Sequence, residues 1–235
     1  MRKGIIIACS ILLLATTVFS QKDKETKIEG SGNVITKDVT IQPFDQLEAN
    51  GVFNVVLTQG NKESLKIEAE DNLQALFEIK NEGSKLMVDM KKDSHFNSKK
   101  KMTVYITFKN LKSMDLKMVG NVSSEGNLNF SDLSLANKSV GSVDLALNAQ
   151  KLDINIKSVG NLRLSGKAEN AIIRSNSVGA IKASDLLVQT MDIDNDGVGS
   201  AEVNAVKELK VKDSFLGKVK NAGSATAKRI NKVVI

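Results

Sequence analysis

Three acidic residues at alternate positions, Asp192, Asp194 and Asp196, with Gly197 directly after them, come closer to a chemical motif than anything else in this 235-residue chain. In Asp192-Ile193-Asp194-Asn195-Asp196-Gly197 they fill places one, three and five of a calcium-binding loop, and the glycine fills place six, where such loops bend sharply. The closing bidentate glutamate is missing, because place twelve is Val203. Asp192, Asp194 and Asp196 are therefore a calcium candidate. Their other reading is the solvent face of a strand, since alternate residues point the same way. Other chemistry has less to draw on. His95 is the only histidine, so neither a histidine-based triad nor a zinc cluster is expected. Carboxylates that could cleave a glycan stand at Asp144, Asp153, Asp185 and Glu202, but none breaks the surrounding pattern as an active site normally does. Tryptophan is absent altogether. No catalytic residue and no cofactor other than calcium is expected.

Charge narrows the partners. The chain carries 33 Lys and Arg against 27 Asp and Glu, a formal charge of +6, with the two signs well mixed. Nucleic-acid binding needs basic residues gathered on one face, and that is not the pattern here. The one cluster is Lys91-Lys92 and Lys99-Lys100-Lys101 around Ser94-His95-Phe96-Asn97-Ser98. It reads as an exposed loop, with contact to an anionic surface as its alternative.

The elements that would position these residues are written in a repeat. Val119-Gly120, Val140-Gly141, Val159-Gly160, Val178-Gly179, Val198-Gly199 and Leu216-Gly217 place their glycines 21, 19, 19, 20 and 18 residues apart. A period near 20 is that of one turn of a β-solenoid and is too short for a pair of helices. Two places after each glycine come Val122, Val143, Leu162, Ile181, Ala201 and Val219. Eight and six places before it come Leu133/Leu135, Leu152/Ile154, Ala171/Ile173, Met191/Ile193 and Leu209/Val211. Polar residues separate them, so each repeat reads as two short half-buried strands flanking a glycine corner. Glycine there supplies a positive φ or lets stacked turns approach closely. In this register Leu145, Ile154, Leu164, Ile173 and Val203 point inward, while Asp144, Arg163 and Lys182 point out. Only Phe215 follows Phe130, as suits a thin interior of aliphatic layers.

The N-terminus follows other rules. Arg2-Lys3, an apolar run from Gly4 to Val18 and Phe19-Ser20 make a signal peptide over 1–20, cleaved before Gln21. The apolar run is too short to span a membrane. Export to the periplasm or the extracellular space follows. Cys9, the only cysteine, would leave with the signal, as would two of the basic residues, so the remaining 215 residues carry +4. Residues 21–235 read as a single β-solenoid domain, with broader irregular turns over 28–110 and regular repeats over 111–235.

The first half also carries a resemblance. Gly30-Ser31-Gly32-Asn33-Val34-Ile35 leads into Ile41-Gln42-Pro43-Phe44-Asp45-Gln46-Leu47. Asn50-Gly51-Val52-Phe53-Asn54-Val55-Val56-Leu57-Thr58-Gln59-Gly60 and Leu65-Lys66-Ile67-Glu68-Ala69-Glu70-Asp71-Asn72-Leu73 follow. This order, from about Lys27 to Ile235, resembles the head GIN domain family, named for auto-transporter adhesins of the Gram-negative envelope. The resemblance implies a right-handed parallel β-helix, secreted or periplasmic, and no known catalytic residue. The expectation is a non-enzymatic envelope or secreted protein, an adhesin-like module contacting an envelope protein or a glycan surface. The alternative is a glycan-active β-helix enzyme of lyase or hydrolase type, with its site in the first half near Lys91 to Lys101.

Overall fold

The repeat forms because each turn can hydrogen-bond only to the turns above and below it. In the computed structural model, which describes residues 27–230, the strands Leu128–Asn137, Val143–Ile156, Leu162–Ser175, Ile181–Asn195 and Ala201–Asp213 stack in parallel as a β-solenoid. The signal segment 1–20 expected from the sequence, with Cys9, lies outside the described residues. Val122, Val143, Leu162, Ile181, Ala201 and Val219 pair in one ladder, the set read from the glycine spacing. Leu133, Leu152, Ala171, Met191 and Leu209 pair in another. Leu145, Ile154, Leu164, Ile173 and Val203 are fully buried, and Asp144, Arg163 and Lys182 are exposed.

Each turn has two bends of different construction. At the first, Gly141, Gly160, Gly179 and Gly199 have φ between +134° and +144°, and a Cβ on any of them would collide with the carbonyl oxygen of the glycine one turn below. Positive φ and close approach thus hold together. Gly217 lacks the positive φ, so the sixth corner is a variant. At the second bend two consecutive exposed residues, such as Gln150-Lys151 or Glu169-Asn170, interrupt the alternation. Inter-turn pairing continues across this bend, and the two short strands expected per repeat are joined into one of 13 to 15 residues. Differences in turn length are absorbed between the corners: register shifts fall between Arg163 and Ser165 and between Ala183 and Leu187, on the arm after the glycine corner, and between Val188 and Thr190, at the second bend, leaving the glycine corners aligned.

Residues 28–110, read as broader turns of the same rod, contain one corner in register with the later ones. The strand Gln46–Val52 pairs in parallel with Ser113–Val119, and Asn54–Gln59 pairs with Val122–Glu125. Lys85–Met90 and Thr103–Phe108 add a further parallel layer on Gln46–Val52 and Asn54–Gln59, and the other strands depart from solenoid turns through antiparallel pairing. Val34–Val39 pairs with Ser64–Glu70, which pairs with Thr103–Phe108, and Phe77–Glu82 forms a hairpin with Lys85–Met90. These strands close one end of the rod. The aromatic core lies there, with Phe53 and Phe77 centroids 5.5 Å apart and Phe108 stacked on Phe130 at 5.9 Å. Rings fit where the layers are no longer uniform.

Denaturant unfolding tests this register. Leu164→Ala is expected to cost about 2–5 kcal/mol, as for a buried leucine. Gly160→Ala should cost more than about 1 kcal/mol, because the new Cβ meets both strain and backbone. Arg163→Ala should cost under about 0.5 kcal/mol, since its contact with Asp144 at 3.5 Å joins two exposed groups. A ranking with Arg163→Ala above the other two would refute the inward assignment.

Candidate functional site

The aspartate run lies on the outward face of a strand paired on both sides. Asp192 and Asp194 share one face of Ile181–Asn195, and Asp196 follows at the glycine corner. Alternate residues of an extended strand are about 6.8 Å apart, so the carboxylates stand in line rather than around one point. In the stack, Asp192 lies between Ile172 and Lys210, and Asp194 between Arg174 and Lys212. Lys212 Nζ donates to Asp194 Oδ2 at 2.9 Å. That hydrogen bond, with the charges of Asp194 and Asp196, raises the ammonium above its ordinary pKa. Among the described residues, no three His, Cys, Asp or Glu side chains are grouped so as to hold a metal ion.

The lysine-rich stretch is pinned at its centre. Phe96-Asn97 pairs in parallel with Ile28-Glu29, and Asn97 Nδ2 donates to Glu29 Oε2 at 2.8 Å. Glu70, wholly buried, accepts from the Ser98 hydroxyl at 2.7 Å, the Gly32 amide at 2.6 Å and the Lys99 amide at 2.9 Å. The Ser98 bond, joined by the backbone amides of Gly32, Lys99 and Lys100, holds the Glu70 carboxyl below its ordinary value against the opposing effect of burial. One carboxylate therefore ties the N-terminal segment and the lysine loop to the closed end of the rod. The hollow beside this loop, about 320 Å³, is lined by Phe96, Ser98, Lys100, Lys101, Val52 and Val119 among others, and none of its lining residues is acidic. A glycosidase needs a pair of carboxylates across the scissile bond. The hollow that the sequence singled out does not offer one.

A larger cleft, about 720 Å³, opens where the closed end meets the regular turns, and Asp45, Glu63, Lys109, Lys112, Phe130 and Asp132 are among the residues lining it. Lys112 Nζ donates to Asp45 Oδ2 at 2.7 Å. This bond and one involving Ser84 keep the Asp45 carboxyl below its ordinary value, and the same bond raises Lys112. A carboxyl held ionised in this way is poorly suited to act as a general acid. The other carboxylates are also drawn to cations, mostly across turns. Asp144 meets Arg163 at 3.5 Å, and Asp153 meets Arg174 at 3.0 Å. Glu202 lies in register between Lys182 and Lys220. Asp185 sits at a register shift. The arrangement is a set of long faces with charges paired along them.

The sequence reading missed Glu70 and the Asp45–Lys112 pair. In Leu65-Lys66-Ile67-Glu68-Ala69-Glu70, alternation places Glu70 outward, and only the folding-over of residues 30–32 and 98–100 encloses it. Asp45 and Lys112 are 67 residues apart, with no local signal linking them.

Comparison with known proteins gives a consistent result. Residues 43–225 match the family model described as "Putative auto-transporter adhesin, head GIN domain". No curated protein sequence matches the chain. A crystal structure of a "putative adhesin" from Bacteroides fragilis NCTC 9343 is 29% identical, with a TM-score of 0.71, over 86% of this chain and 100% of that one. A "putative lipid binding protein" from Parabacteroides distasonis ATCC 8503 has a TM-score of 0.61 at 16% identity, covering 88% of this chain and 100% of its own. A "putative adhesin" from Parabacteroides merdae ATCC 43184 has a TM-score of 0.51 at 22% identity, over 87% of this chain and 99% of that one. The last two likenesses are of fold.

Two outcomes are expected from this geometry. The Glu70 carboxyl is lower in pKa when folded, so its contribution is complete above the ordinary value of 4.5 and is lost as pH falls below it through the folded value. Glu70→Gln, which faces amide hydrogens with amide hydrogens, should lower the melting temperature most above pH 4.5, and the gap should close as pH falls. A gap that stays constant with pH would remove the carboxylate from this role. Calcium should leave the melting temperature unchanged, since Lys212 already occupies Asp194. A rise reversed by a chelator would instead establish Asp192, Asp194 and Asp196 as a site.

Proposed function

The chain belongs to the head GIN domain family, and on that footing we propose that it is an exported, non-enzymatic interaction module whose long rod faces contact an envelope protein or a glycan surface. The observation that carries this reading is the state of the carboxylates. Asp45, Asp144, Asp153 and Asp194 each lie within ion-pair distance of a lysine or arginine, so they shape a surface of alternating charge. Such pairs contribute little to stability when exposed. They present complementary polar groups at several turns along the rod. Contacts that are weak one by one then add through multivalency. The basic, apolar and small-residue segment at 1–20 supports export. No helix among the described residues is long and apolar enough to cross a membrane.

A screen of immobilised residues 21–235 against native envelope extract and a glycan array tests the proposal. Retention of a defined protein or glycan is expected, and Lys182→Glu or Asp192→Asn should each weaken it only in part. Loss of all binding from one such substitution, with the fold intact, would replace the distributed surface by a discrete site. Incubation with the same glycans should release no new reducing or unsaturated ends. Release of either would install the glycan-active enzyme instead.

A further inference from the structure

The valines of the Val-Gly corners do not point into the core. Val52 pairs with Val119, and Val119, Val140, Val159, Val178 and Val198 are bridged each to the next. The Gly199 amide donates to the Leu216 carbonyl at 3.0 Å, as the Gly179 amide does to that of Val198 at 2.9 Å, which extends the same column to Leu216. All seven side chains are between 45% and 59% exposed. One aliphatic residue per turn thus forms an outward ridge along the whole rod, at a pitch of about 4.8 Å. Lone exposed aliphatics are ordinary, whereas a continuous apolar stripe is the kind of surface that pairs with something.

We propose that this ridge is the contact between two copies of the chain, lying side by side in parallel around a two-fold axis that runs along the rods. Three features select a second copy. Only an identical rod repeats the same apolar side chain at the same pitch for seven steps. Covering seven half-exposed aliphatics removes roughly 500–600 Å² from each copy, and about 1,000–1,200 Å² together reaches the lower bound of a specific interface. The third feature is charge. On one side of the ridge stand Lys117, Lys138, Lys157, Asn176 and Asp196; on the other stand Asn121, Ser142, Asn161, Ala180 and Ser200. A parallel two-fold places each residue of the first column against the second column of the other copy, so every lysine meets a small polar or amide residue. An antiparallel pairing in full register, centred on Val159, sets Lys117 against Asp196 but places Lys157 against Lys157, so only the parallel pairing brings no like charges together.

The test uses light scattering across a range of concentrations, on the chain in a Cys9→Ser background, which removes its only native cysteine. The expected result is twice the monomer mass, falling to the monomer in Val140→Glu, which should still unfold cooperatively because residue 140 is exposed. Under mild oxidation, Val119→Cys and Val159→Cys should each cross-link to the same residue of the second copy. A monomer at all concentrations would overturn the proposal. So would a dimer that survives Val140→Glu, or one that links through Val159→Cys but not Val119→Cys, the mark of an antiparallel pair. Sedimentation of a monomeric wild type with phosphatidylglycerol vesicles, lost in Val140→Glu, would assign the ridge to lipid and overturn it as well.

Discussion

Backbone-to-backbone approach at the glycine corner is the constraint on which the rest of this molecule rests. Each turn can hydrogen-bond to the one below only if its corner carbonyl may lie against the next corner's α-carbon, and any side chain there would occupy that space. Satisfying the constraint at every turn sets the pitch of the rod. The pitch in turn lets buried aliphatics stack like on like, and keeps the ladders of Val143 and Leu152 aligned from one turn to the next. The second bend is under no such restriction. It keeps its ladder through two polar residues and tolerates a register shift, as at Val188 to Thr190, without disturbing the corner column.

A stack of this kind has open ends, and unpaired strand edges invite association. The two ends are closed differently. Toward the N-terminus, antiparallel strands and the aromatic core of Phe44, Phe53, Phe108 and Phe130 cover the first turn, with Glu70 tying down the crossing segments. At the other end, among the described residues, only Val219–Asn221 and Ala227–Arg229 pair with the last long strand. Asn221 supplies what backbone does not, its side chain bonding both the amide and the carbonyl of Ala205. The Asp213–Arg229 pair, at 2.6 Å, ties the final strand back to the rod.

These requirements leave the exterior free to vary, and its chemistry follows. Positions between the inward residues carry either sign of charge, and several stacked positions pair opposite charges across turns, as Asp144 with Arg163 and Asp194 with Lys212, while Arg163 stacks on Lys182. A surface built in this way is extended and repetitive. It suits contact spread over many turns rather than a deep pocket, which would need apolar depth that a core two layers thick does not have. The corner valines form a continuous apolar column on this exterior, whereas other exposed apolar residues such as Ile172 and Phe215 lie outside it.

From particular residues one can see how far the sequence alone reached. The spacing of Gly120, Gly141, Gly160, Gly179 and Gly199 was enough for the solenoid, its register and its inward set, because a one-dimensional stack converts sequence period directly into contact. The outward turn of the corner valines was also written there: Leu152, Ile154, Ile156 and Ser158 alternate inward, so Val159 must face out. Alternation could not reveal the antiparallel closure of residues 34–108, since either strand direction satisfies the same pattern of apolar residues. Nor could it reveal that Glu70 is buried or that Asp45 meets Lys112. Those partners lie 28 to 67 residues apart and are joined by no period, so only the folded chain, by bringing distant segments to one end of the rod, decided them.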